Sequence, residues 1–186
     1  DRAVNEPLVG LLTGPIGVGK TTVAERVAGT ALRRGLSCGG LLAPALVDAC
    51  GQKAGIWGVD LAGGERRLLA RIDRDLGGPQ VGPYSFDGQA LDWALRVIEE
   101  AIPRADLVVV DEIGKLELWE GGGLAPLLPR LAAGEARRAL VLVRESLLDE
   151  LQARLEPVRQ VVLAVDHENR GEMPSRVLDK LDLITS

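Results

Sequence analysis

Apolar positions along the chain alternate between short unbroken runs and helical stripes. Residues 8–13 form an apolar run bounded by Pro7 and Gly14, the pattern of a strand buried on both faces. After a glycine-rich stretch, residues 21–34 carry Val23, Val27, Ala31 and Leu32 at helical spacing, and Gly35 stands where a cap would end that helix. A strand is expected at 37–42. Residues 53–72 read as strand, Gly63-Gly64 turn and strand without an intervening helix, which predicts an antiparallel hairpin; residues 80–86 add an extended piece. Asp87 is placed to cap a helix over 89–101 whose apolar face is Leu91, Ala94, Leu95 and Ile98. Apolar strands follow at 107–110, 140–143 and 161–165, with helices at 124–132, 147–155 (Ser146 as its cap) and 175–181. Strand, glycine turn, helix is the opening of a doubly wound α/β sheet. No linker or internal repeat divides the chain, so one domain over residues 1–186 is expected.

Composition narrows the classes. Hydrophobic residues make up 46% but aromatics only 3%, so the core must be mostly Leu, Val and Ala. A net charge of −5 and only short arginine runs argue against a nucleic-acid backbone as the main partner. No apolar run approaches the ~20 residues of a membrane span, and the first residues lack a signal-peptide pattern, so a cytoplasmic location is expected. The sequence leaves any protein partner unspecified. Cys38 and Cys50, 12 positions apart beside a single histidine, form neither a metal pattern nor a disulfide framework and read as reduced thiols. Trp57, Trp93 and Trp119 read as core or strand-face residues, and His167 as an exposed turn residue.

The chemistry gathers in two motifs. Gly14, Pro15, Ile16, Gly17, Val18, Gly19, Lys20 and Thr21 spell GxxxxGK[ST], followed by Thr22. Its glycines let the backbone turn its N–H groups onto phosphate oxygens, and the following helix adds its positive end. Lys20 is placed for the β- and γ-phosphates and Thr21 for Mg²⁺, so the expected ligand is a nucleoside triphosphate with Mg²⁺. The apolar strand at 107–110 ends in Asp111 and Glu112, 90 residues after Thr21. Asp111 is placed to hold the metal, and Glu112 beside it to orient an attacking water or take its proton. Asp111 to Gly114 also satisfies the DxxG pattern of GTPases, but no NKxD follows. Arg144 ends another apolar strand at the same sheet edge. It reads either as a γ-phosphate sensor or internal arginine finger, or as a surface partner of Glu145 or Glu150.

The loop GPIGVGKTT and the string VVVDEIGKLEL, at this spacing in so short a chain, resemble the small P-loop nucleoside-triphosphatases, the family of the human cancer-related nucleoside-triphosphatase and its thermophile relatives. Val81-Gly82-Pro83-Tyr84 with Asp87, and Glu168-Asn169-Arg170 after the last strand, resemble further family segments. The resemblance implies a three-layer, mostly parallel RecA-like sheet with an antiparallel hairpin extension. It also implies Mg²⁺-dependent hydrolysis of nucleoside triphosphates with loose base preference. By the same resemblance Lys115 lies near the γ-phosphate, and Arg170 contacts base or ribose. The chain departs from the family at residues 43–47, where Ala-Pro-Ala-Leu-Val replaces an acidic-then-basic pair, and at the glycine run 121–123.

Two other function classes share the loop. A small kinase would need an acceptor and an arginine-rich lid, for which Arg66, Arg67, Arg71 and Arg74 are the available residues. A regulatory module would bind nucleotide with little turnover.

Overall fold

The computed structural model describes residues 5–183. In chain order the elements are β1 (Leu8–Gly14), α1 (Lys20–Arg33), β2 (Cys38–Leu42), β3 (Ala45–Val47), β4 (Lys53–Asp60), β5 (Arg66–Arg71), β6 (Gln80–Val81), β7 (Tyr84–Phe86), α2 (Gly88–Ala101), β8 (Leu107–Val110), α3 (Lys115–Glu120), α4 (Leu127–Ala132), β9 (Arg138–Arg144), α5 (Leu148–Leu155), β10 (Arg159–Ala164) and α6 (Met173–Lys180).

The strands form one sheet in the order β10-β1-β9-β8-β2-β4-β5-β7-β6, with β3 paired to β4. From β10 to β2 all neighbours are parallel, and beyond β2 they are antiparallel. The expected mostly parallel sheet with an antiparallel extension is therefore the observed one. The central strands β1 and β8 are buried along their whole length, which is why they read as unbroken apolar runs. Alternate side chains feed two cores. Val9, Leu11, Val108, Val110, Val141 and Val143 pack with α2, α4 and α5. Leu8, Leu12, Leu107, Val109, Leu140 and Leu142 pack on the other face with α1 and α6. Sheet between two helical layers is the three-layer arrangement.

Local signals hold where expected. Asp87 accepts from the N–H groups of Gln89 and Ala90 at 2.9 and 3.2 Å and starts α2. Gly35 follows α1 at φ 82°, its N–H returning to Leu32 O. Gly40 is required for two reasons: its φ is 102°, and a Cβ there would run into the Val109 backbone of the neighbouring β8.

Several elements differ from the sequence reading. Ser146 does not cap α5; Glu145–Leu147 form a 3₁₀ turn and the α-helix begins at Leu148 without a side-chain cap. The helix expected from 124 begins only at Leu127. α3 and β3 were not anticipated. α3 is only six residues long and too short for an apolar period, while β3 is three residues defined by its pairing with β4. Trp93 is buried as expected, but Trp119 is 60% exposed on α3, its indole N–H donating to Glu150 at 2.9 Å. His167 is exposed in a turn, and Cys38 and Cys50 are free.

Candidate active site

The phosphate loop leaves β1 at Gly14, where a Cβ would stand 2.5 Å from Val165 O, so the loop starts tight against the chain following β10. Val18 is fully buried and pins the loop's middle, while Ile16 is exposed at its tip. Gly17 and Gly19 have φ of 80° and 102°, a region L-residues rarely adopt. Gly19 caps α1 without a side chain. The N–H groups of the helix's first turn are therefore left for a ligand, at its positive end. Lys20 opens α1, is 8% exposed, and donates from Nζ to Gly14 O at 3.0 Å.

Opposite the loop, Asp111 follows β8 and is 4% exposed. Its Oδ2 accepts the Thr21 hydroxyl and the Ala43 N–H, both at 2.9 Å. One carboxylate oxygen thus joins the start of α1, the turn after β2 and the end of β8. Burial pushes its pKa from 3.8 up to about 6, and Glu112 adds to the rise, against the lowering influence of the Ala43 N–H, Thr21 and Lys20. A hydroxyl and a carboxylate this close are hard oxygen donors suited to Mg²⁺. Among the described residues no group of three or more His, Cys, Asp or Glu could hold a metal, so a cation here would complete its shell with phosphate oxygens and water.

The Asp111–Glu112 peptide is cis. Glu112 faces Arg144 at the end of β9, Oε1 to Nε 3.7 Å, and both side chains are about one-third exposed. Arg144 is therefore drawn into the site and not to Glu145 or Glu150. Lys115 begins α3 and lines the same cavity, its Nζ 5.2 Å from the Trp119 ring centroid. Glu117 was missed by the sequence reading. It is 6% exposed and accepts from the N–H groups of Gly114 and Leu124 at 2.9 and 3.2 Å, tying down the chain after Glu112. Burial is the main cause raising its pKa to about 7. Its signal was available as the third acid of the DEIGKLEL string.

A cavity of about 550 Å³ joins these parts. Ile16, Gly17, Val18, Gly19, Lys20, Thr21 and Thr22 line it with Asp111, Glu112, Lys115 and Arg144. Gly14 and Pro15 lie behind the loop and do not. Arg170 lies in the exposed turn after β10 and is not part of the lining either. The arginines available for a kinase lid are engaged on or beside β5. Arg66 lies over Trp57, Arg67 pairs with Glu65, and Arg71 pairs with Asp73, which also lies 4.0 Å from Arg74.

A glycine-rich loop between strand and helix, with an acid at the end of a strand two positions along a parallel sheet, defines a P-loop nucleotide-binding α/β protein. A family model described as NTPase matches residues 10–178, and the chain belongs to that family. Among similar proteins, the nucleoside-triphosphatase THEP1 of Methanopyrus kandleri is 34% identical over 171 residues, 91% of this chain and 92% of the relative. The nucleoside-triphosphatase THEP1 of Thermofilum pendens is 31% identical over 168 residues, 90% and 91% of the two chains. Two solved structures share the fold. THEP1 from Aquifex aeolicus matches with a TM-score of 0.73 at 22% identity, covering 94% of this chain and 99% of its own. The human cancer-related nucleoside triphosphatase matches with a TM-score of 0.68 at 24% identity, covering 95% and 98%.

Proposed function

We propose that this chain is a cytoplasmic, Mg²⁺-dependent nucleoside-triphosphatase, one domain that hydrolyses a nucleoside triphosphate to the diphosphate and phosphate with loose base preference. The observation that carries the reading is the pairing of Glu112 with Arg144 beside the Lys20, Thr21 and Asp111 constellation. Family membership and the names of the relatives support the same reaction.

In this reading the loop amides and Lys20 hold the β- and γ-phosphates. Thr21 and Asp111 would hold Mg²⁺, which would supply charge neutralisation for the phosphates. Glu112, at the end of β8 beside the terminal phosphate, orients a water for in-line attack and takes its proton. Arg144 is held near Glu112 until a γ-phosphate offers it a stronger anion, and it then offsets charge developing on the transferred group. Lys115 stands on the same side as a further cation. Positioning and electrostatics of this kind account for most phosphoryl-transfer catalysis.

The test is phosphate release from ATP, GTP, CTP and UTP with Mg²⁺, wild type against Glu112→Gln. The variant should keep Mg·NTP affinity and lose at least about a hundredfold in turnover. Equal turnover in the variant removes Glu112 as the base, and release that requires an added acceptor makes the protein a kinase.

A further inference from the structure

The cavity that starts at the phosphate loop continues past Glu112 and Lys115 toward the antiparallel half of the sheet. There its walls are Leu41, Ile56, Leu69, Phe86, Leu91 and Leu124. Leu41, Leu69, Leu91 and Leu124 are 1%, 4%, 8% and 4% exposed, so much of this lining belongs to the core, while Ile56 and Phe86 are half-buried. A triphosphate does not account for it. The nucleotide's last phosphate faces Asp111 and Glu112 in the hydrolase reading, on which this inference rests. The chamber's walls come from β2, β4 and β5, on the other side of β8 from the phosphate loop.

A room walled by aliphatic side chains holds water poorly and gains from an apolar occupant. Its open side is cationic. Lys53, on β4, projects its ammonium 5.2 Å from the centroid of the Tyr84 ring, and Lys115 stands at the boundary with the phosphate half. Among the described residues no carboxylate lies within 4.0 Å of either ammonium. Of the acids in the lining, Glu25 is on α1, Asp111 and Glu112 follow β8, and Glu117 on α3 is already engaged by the N–H groups of Gly114 and Leu124. A volume of about 550 Å³ for the whole cavity is ample for a small molecule.

We propose that this chamber is a second ligand site, which takes a small molecule with an apolar body and an anionic head, the body against Leu69 and Ile56 and the head at Lys53. Such a molecule sits on the far side of the γ-phosphate and covers the approach by which water reaches Glu112.

The probe is 8-anilinonaphthalene-1-sulfonate, an apolar ring system with one anionic group, titrated by fluorescence into the protein saturated with Mg·ADP so that the phosphate loop is already filled. The wild type should show a single saturable site. Lys53→Glu reverses the charge at an exposed strand position, and Ile56→Phe fills the chamber. Each should weaken the dye by at least about tenfold, since like charge or lost room removes the main contact. Thermal melting and Mg·ADP affinity report whether each variant is folded; Lys53→Glu, at the surface, carries the test if Ile56→Phe does not fold. No saturable binding, or a loss of less than about tenfold in any folded variant of the two, overturns the proposal. Glu112→Gln separates the two readings. If it loses turnover while the dye fails to bind, only the chamber falls; if it keeps turnover while the dye behaves as expected, only the assignment of the base falls.

Discussion

Replacing Asp111 by Asn should make the nucleotide-free protein more stable and the nucleotide-bound one less so. In the folded chain burial raises the Asp111 pKa from 3.8 to about 6. A carboxyl whose folded pKa lies above its unfolded one contributes stability that is present below the unfolded value and lost as pH rises through the folded one. At pH 8 Asp111 is ionised in both states, and the difference corresponds to a cost of about 3 kcal/mol at about 1.36 kcal/mol per pH unit. Asparagine keeps an oxygen to accept the Thr21 hydroxyl and the Ala43 N–H but carries no charge. Its amide N–H groups need a partner in a buried place, at a cost of about 1–2 kcal/mol. The net gain is about 1–2 kcal/mol, or roughly 2–8 °C in melting temperature for a chain of this size. Near pH 4 the gain should vanish, because wild-type Asp111 is then protonated. Calorimetry at pH 8 and pH 4 without nucleotide measures this directly. Repeating the pH 8 scan with Mg·ADP at about a hundred times the wild-type Kd should raise the wild type by about 2.7 kcal/mol and the variant by much less. A variant that melts below wild type at pH 8 without nucleotide refutes the burial argument. One that gains the full Mg·ADP increment refutes the placing of the metal.

Lys20→Ala should lose about 2–5 kcal/mol of Mg·ADP affinity by titration calorimetry, because a nearly buried ammonium is removed from the phosphates; unchanged affinity would place the phosphates elsewhere. Arg144→Ala should lower phosphate release by at least about tenfold while Mg·ADP affinity holds, since Arg144 faces Glu112 and in the proposed reading acts on the transferred phosphate. If turnover is unaltered, the sensor role is wrong. Gly40→Ala should cost at least about 3 kcal/mol or prevent folding, since the new Cβ meets the Val109 backbone and φ is 102°. A melting temperature within a degree or two of wild type would show that β2 and β8 can part freely.

What could be read from the residues was the local chemistry. The phosphate loop needs glycines, a lysine and a hydroxyl at fixed intervals because they act on one ligand over a few ångströms of backbone. Asp87 announced α2 because a cap acts within three residues. Contacts between distant segments left no such trace. Ala43 reaches Asp111 through its backbone N–H, so its side chain says nothing of the role. Glu117 looked like one acid in a charged string. Its importance comes from burial and from accepting the N–H groups of Gly114 and Leu124, the second seven residues ahead.

Arg144 shows what strand order adds. From the residues alone a surface pairing with Glu145 or Glu150 was the slightly favoured reading, because a strand end says which edge of the sheet a side chain occupies but not which neighbours it meets. In the sheet, β9 stands between β1 and β8. Gly14 of β1 is level with Arg144 of β9, and Val141 of β9 is level with Val110 of β8. A residue at the tip of β9 is therefore held between the phosphate loop and the acids after β8, and its cation faces Glu112 at 3.7 Å. Had β8 paired directly with β1, the same arginine would lie outside the site. The sheet order thus turns an ambiguous surface residue into a cation beside the proposed base, and that step depends on pairing between strands more than a hundred residues apart in the chain.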